Sequence, residues 1–183
     1  ATTNKKSLAK KLDLFRTHGI TRDASLMKNQ IDGPWYYEQI NLGYNYRMTE
    51  IEAALGISQL KRLDSIVKKR HEVAKIYNKK LIDLPLKLPY QDPNCISSYH
   101  LYVIRLKLNN IKISHKDFFI SMRSKGILIN LHYIPVYFHP FYQNLGFKKG
   151  YCEEAEKYYS DAVSIPIFPT LTKNEQQKVI DTI

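Results

Sequence analysis

Apolar residues recur along the chain at two spacings, one helical and one extended. Leu8, Leu12 and Phe15 fall at helical spacing, which predicts a short amphipathic helix over 7–18 with Gly19 placed to end it. Positions 20–40 read as loop, broken at Gly33-Pro34 and followed by the aromatic run Trp35-Tyr36-Tyr37. The longest helical signal begins at Thr49, where Thr49 and Glu52 have the spacing of a capping box. Leu60, Leu63, Val67, Ala74, Tyr77 and Leu81 then make one apolar stripe, with Arg70 in its polar gap. Unbroken over 49–81, such a helix extends about 50 Å at ~1.5 Å per residue. A rod of that length joins two bodies or bends, and Gly56 is a place for it to give.

The rhythm changes after Asp92-Pro93. Alternation over 99–108 predicts a strand, and 117–123 predicts a helix ending at Gly126. A second strand is expected over 127–134, stopped by Pro135. A helix over 153–163, an extended run over 165–169 and a last helix over 172–183 follow, the last opened by a Thr172/Glu175 capping box. The order of elements predicts α/β architecture, with a small α+β domain from about residue 85 onward. The expected divisions are 1–48, a connecting helix over 49–84, and 85–183.

Composition adds a strong charge bias. Lys and Arg number 28 against 17 Asp and Glu, a net charge of +11, while 44% of residues are hydrophobic, enough to build a core. Nucleic acid, anionic membrane surfaces and phosphorylated small molecules all suit such a charge, and so does a place within a larger, better balanced protein. The lysines are scattered and form no run longer than a pair. Cys95 and Cys152 are the only cysteines and lack metal or redox spacing. With no apolar stretch near the ~20 residues a bilayer needs, the chain reads as soluble and cytoplasmic. Its opening, ATTNKKSL, has no Met and reads as a start within a longer protein.

Two stretches carry candidate chemistry. In NLGYNYRMTE, residues 41–50, an extended backbone sets Asn45 and Arg47 on one side and Tyr44 and Tyr46 on the other. A neutral donor beside a planar cation receives phosphate or carboxylate, and the helix starting at Thr49 adds partial positive charge. A tyrosine-rich turn with a solvated Arg is the plainer alternative. In NLHYIP, residues 130–135, Asn130 and His132 share a strand face with Tyr133 opposite. A histidine at a strand end serves as acid, base or hydrogen-bond donor, or simply as a structural side chain. No metal spacing, glycine-rich phosphate loop or serine nucleophile elbow is present.

LGYNYRMTEIEAALGISQLKRLD (42–64), HYIPVY (132–137), SIPIFPTLT (164–172) and the opening TTNKKSLAKKLDLFRTHGI resemble, in that order, the DegT/DnrJ/EryC1/StrS family of sugar aminotransferases. GITRD (19–23) and GPWYYEQ (33–39) narrow the resemblance to the branch serving pseudaminic acid biosynthesis. It covers essentially the whole chain. It implies the C-terminal part of a type I aminotransferase fold, pyridoxal 5'-phosphate (PLP) as cofactor, and a homodimer with shared active sites. The implied reaction moves an amino group from glutamate to C4 of a UDP-linked 4-keto-6-deoxy sugar.

Carried onto this sequence, the resemblance places Asn45 at the cofactor phosphate across the dimer. Arg47 faces the glutamate carboxylate or the charged part of the substrate, and His132 and Tyr133 lie near the sugar nucleotide. Residues 1–48 become the tail of the large cofactor-binding domain, and 85–183 the small C-terminal domain. The Schiff-base lysine of the family falls before the position of Ala1, so the chain by itself is expected to lack that catalytic group and to be inactive. A different class of reading also stands, a non-catalytic basic module binding nucleotides or nucleic acid.

Overall fold

A computed structural model describes residues 1–183. The chain forms two compact units, Ala1–Lys61 and Arg62–Ile183. Its mixture of helices and antiparallel sheet agrees with the α/β expectation.

The first unit begins with α1 (Lys6–Arg16). The helix stops because His18 and Gly19 both take positive φ, 60° and 73°, which lets the Gly19 amide reach back to the Leu14 carbonyl at 2.9 Å. The stretch expected as loop contains a two-stranded antiparallel ribbon, β1 (Ile20–Thr21) against β2 (Glu38–Gln39). The unit ends in α2 (Glu50–Leu60), opened by the expected capping box. The Glu52 amide donates to Thr49 Oγ1 at 3.3 Å, and the Thr49 amide donates to the Glu52 carboxylate at 2.8 Å.

The expected single helix over 49–81 is a pair. Helix α2 ends at Leu60, a turn occupies Lys61–Arg62, and α3 (Leu63–Leu81) starts afresh in the second unit. Gly56 lies undisturbed within α2. The apolar stripe divides accordingly: Ala74, Tyr77 and Leu81 are buried, whereas Leu60 and Leu63 are exposed.

The second unit is built on a three-stranded antiparallel sheet in the order β3 (Leu86–Lys87), β4 (Tyr102–Leu106), β5 (Ala162–Ile165). Alternation in β4 sends Tyr102, Ile104 and Leu106 into the core and leaves Val103 and Arg105 half-buried on the other face. The core face meets α3 through Val73, Ala74, Tyr77 and Leu81, α4 (His115–Ser124) through Phe118 and Met122, and α7 (Lys173–Thr182) through Val179. Polar ties fix these layers. Tyr77 donates its hydroxyl to the Pro166 carbonyl at 2.8 Å, and the buried Gln176 amide donates to the Val73 carbonyl at 2.8 Å. Between α4 and α7 run α5 (Pro140–Asn144) and α6 (Glu153–Asp161).

Two expectations in this unit are corrected. Residues 127–134 do not form a strand: one antiparallel bridge, Asn130 to Ser164, is all that attaches them to β5. Beyond that bridge no backbone pairing with β5 continues, and the Leu131 amide is taken locally by Asn130 Oδ1 at 2.9 Å. The helix expected over 153–163 ends at Asp161, and β5 begins at Ala162, ahead of the extended run expected from 165.

Candidate functional site

In the first unit, residues 43–46 are laid against the end of α1 by backbone hydrogen bonds. Tyr44 donates to the Phe15 carbonyl at 2.7 Å, His18 to Tyr44 at 2.8 Å, and Tyr46 to Arg16 at 2.9 Å, with Thr17 and Asn45 paired in an antiparallel bridge. Gly43 permits the approach, since a Cβ there would stand 2.6 Å from the His18 carbonyl carbon and 2.9 Å from the Phe15 oxygen. The segment is extended, as expected, and its alternation is visible in the tyrosines. The Tyr44 and Tyr46 rings stack at 5.0 Å with an interplanar angle of 13°. They border, with Ala9, Leu12 and Phe15, an open hollow of about 730 Å³.

Asn45 and Arg47 are both exposed, and neither side chain makes a hydrogen bond or ion pair within the chain. A pinned backbone thus carries an uncommitted amide and guanidinium two positions apart. The nearby helix terminus contributes less than the sequence suggests. The capping box already satisfies donors at the start of α2, and Glu50 and Glu52 put negative charge in its first turn.

Sequence reasoning passed over Glu38. This side chain is only 9% exposed. Its carboxylate accepts the Lys28 and Asn29 amides, each at 2.8 Å, and the Tyr36 hydroxyl at 3.0 Å. Those two amides, foremost, hold its pKa below the usual carboxylate range. Glu38 thereby fastens the loop that displays Trp35 and Tyr37, both largely exposed. The GPWYYEQ stretch contained the residue, but its partners ten positions upstream left no local signal.

In the second unit, His132 is half-buried and its Nε2 has no hydrogen-bond partner. Burial pushes its pKa down, favouring the neutral imidazole. Its ring lies 6.1 Å from that of Tyr158 in α6. The Arg105 guanidinium sits over the same Tyr158 ring, 5.4 Å from its centroid. Two hydrogen bonds, 2.6 and 2.9 Å, hold Arg105 to the Asp161 carboxylate. Tyr133 is 71% exposed and stacks on His139 at 5.9 Å. The structure therefore holds Asn45 and Arg47 in one unit and His132 and Tyr133 in the other.

No group of three or more His, Cys, Asp or Glu side chains is disposed to hold a metal ion, and both cysteines are free and exposed. No helix is long and apolar enough to cross a membrane. Every lysine is exposed.

The model of the DegT/DnrJ/EryC1/StrS aminotransferase family matches residues 1–183. The uncharacterized protein MJ1066 of Methanocaldococcus jannaschii is 36% identical over 184 residues, covering all of this chain and 47% of its own length. The UDP-4-amino-4,6-dideoxy-N-acetyl-beta-L-altrosamine transaminase of Helicobacter pylori is 32% identical over 99% of this chain and 46% of its own. Among solved structures, Helicobacter pylori PseC, an aminotransferase of pseudaminic acid biosynthesis, superposes with a TM-score of 0.82 at 31% identity, over 98% of this chain and 46% of its own. The sugar aminotransferase Spr1654 of Streptococcus pneumoniae in its PMP form superposes with a TM-score of 0.85 at 25% identity, over 98% and 45%. The chain thus spans a little under half the length of the relatives it matches.

Proposed function

Because the chain belongs to the DegT/DnrJ/EryC1/StrS aminotransferase family, we propose that it works within a PLP-dependent transferase that moves an amino group from glutamate to C4 of a UDP-linked 4-keto-6-deoxy sugar. The sugar class rests on the likeness to the Helicobacter pylori transaminase. When bound, the cofactor supplies the carbonyl chemistry that accepts and returns the amino group. The observation that carries the assignment for this chain is the pair Asn45 and Arg47, free of internal partners on a segment zipped to α1.

In this reading Asn45 donates its amide to the cofactor phosphate, and Arg47 offers two parallel N–H donors to the glutamate carboxylate. Burial lowers the His132 pKa and favours the neutral imidazole, and its buried Nε2, which has no partner within the chain, is the ring atom left to hydrogen-bond a sugar hydroxyl. Tyr133 presents an exposed face and hydroxyl beside it. The donors fit the anionic end of the cofactor. The aldehyde end needs a lysine, which the family resemblance sets ahead of Ala1. We assign the Schiff-base lysine to a part of the protein other than residues 1–183.

A homodimer accords with α2, which buries none of its own residues. Ile51, Leu55, Ile57 and Leu60 are 59–82% exposed, an apolar surface of the kind a partner covers. Residues 1–48 are read as the tail of the large cofactor-binding domain and 85–183 as the small domain.

Equilibrium dialysis of PLP against the whole protein tests the reading. A hydrogen bond to a charged group is worth ~1.5–3 kcal/mol, so Asn45→Ala should weaken PLP at least about tenfold. Arg47→Ala should spare PLP and weaken glutamate instead. Unchanged PLP affinity in Asn45→Ala, together with salt-steep binding of random oligonucleotides and none of UDP-sugar, would favour the basic binding module.

A further inference from the structure

Beyond the transferase reading, and independent of it, the geometry points to an anion site on the outer face of the small sheet, framed by Lys87, Arg105, Lys107 and Lys157, that takes a small ligand through a diphosphate group. Its construction follows from strand register. Leu86 pairs with Leu106 and Lys87 with Arg105. Both leucines are buried, so Lys87 and Arg105 point away from the core. Lys107 follows Arg105 by two positions and so takes the same face; its amide donates to the Pro85 carbonyl at 2.9 Å, carrying the pairing one step past β3. Helix α6 closes the other side with Glu154, Lys157 and Asp161, spaced to share one helical face.

These groups enclose an open hollow of about 450 Å³, within the range of ~300–1,000 Å³ usual for small-molecule sites. Four cations line it against two carboxylates. One carboxylate, Asp161, already gives both oxygens to Arg105. That pair is largely shielded, with side-chain exposures of 19% and 16%, and it makes a fixed floor for the hollow. Lys87, Lys107 and Lys157 have no carboxylate within 4.0 Å, which leaves Glu154 as the only uncommitted acid at the site. The amide side chains of Asn109 and Asn110 lie on the same rim.

The ligand class follows from this arrangement. Lysine ammoniums act as point charges with rotatable donors, which suits phosphate oxygens. Three unpaired ammoniums arriving from two strands and a helix match a ligand with charge on two linked phosphates better than a single carboxylate. Inorganic pyrophosphate and the diphosphate of a nucleotide present the same chemistry, and separate titrations distinguish them.

The test is calorimetric titration of inorganic pyrophosphate into the whole protein at low and at moderate salt, with inorganic phosphate, UDP and ADP as further arms. The site variant combines Lys87→Gln, Lys107→Gln and Lys157→Gln. A control variant combines Lys10→Gln, Lys11→Gln and Lys148→Gln, which removes the same charge elsewhere. We expect saturable pyrophosphate binding that weakens at least tenfold in the site variant, less than twofold in the control, and further with salt. Phosphate should bind more weakly than pyrophosphate. UDP and ADP binding alike while losing affinity in the site variant would identify the diphosphate, and not the base, as the recognised group. An absence of saturable pyrophosphate binding would overturn the proposal. So would equal weakening in the two variants, or tight oligonucleotide binding that displaces pyrophosphate and ignores the three site lysines.

Discussion

Gly43→Ala and Gly56→Ala are the same chemical change with opposite expected consequences. At Gly43 the added methyl meets backbone on every side, namely Gly19, His18 and Phe15. None of these is the flexible end of a side chain, so the segment must lift away from α1. Three backbone hydrogen bonds, from the amides of Tyr44, His18 and Tyr46, join the two. At ~0.5–1.5 kcal/mol each, their loss costs about 1.5–4.5 kcal/mol of local stability. Since 1.4 kcal/mol is about a factor of ten, amide exchange at those positions should quicken by roughly tenfold to a thousandfold. At Gly56 no atom lies within 4 Å of the new methyl, and the residue is inside α2. Alanine there should stabilise the helix by ~0.5–1 kcal/mol. Hydrogen exchange read by mass spectrometry or NMR reports both effects. Unaltered protection of Tyr44 and Tyr46 in Gly43→Ala would refute the claim that the glycine licenses this contact, and with it the pinning of Asn45.

Two further outcomes are expected in the second unit. Tyr77→Phe keeps the buried ring but removes its hydrogen bond to the half-buried Pro166 carbonyl, so the urea midpoint should fall by the equivalent of ~0.5–1.5 kcal/mol; an unshifted midpoint would count against that bond. Burial lowers the His132 pKa, so between about pH 6.5 and its depressed folded value the unfolded chain binds more protons than the folded one, and stability should fall as pH drops through that window. His132→Phe should flatten this part of the urea-midpoint profile, and a slope retained in the variant would show that another group causes it.

What the sequence disclosed was mostly local. The capping boxes at Thr49 and Thr172 depend on residues three apart, and both form. The extended tyrosine stretch also held, because a two-residue alternation is local. Elements decided by distant partners were less legible. Ala162–Ile165 is a short, mostly apolar stretch whose pattern fits helix or strand equally; pairing with β4 settles it as strand. The strand expected over 127–134 keeps only one bridge, Asn130 to Ser164, because no further partner residues line up along β5. Nothing at Lys61–Arg62 announces a break by glycine or proline, so the stripe appeared continuous across the junction. At the candidate site, residue types were readable, but their freedom from internal partners was not. Glu38 and the Arg105–Asp161 pair escaped notice because their partners lie far off in sequence.

The most direct measurement is an experimental structure of the whole protein with PLP bound. Asn45 Nδ2 should lie about 2.7–3.2 Å from a cofactor phosphate oxygen, with Arg47 turned toward the place of the substrate carboxylate. Both side chains directed into bulk solvent, with the phosphate held entirely by other residues, would contradict the account.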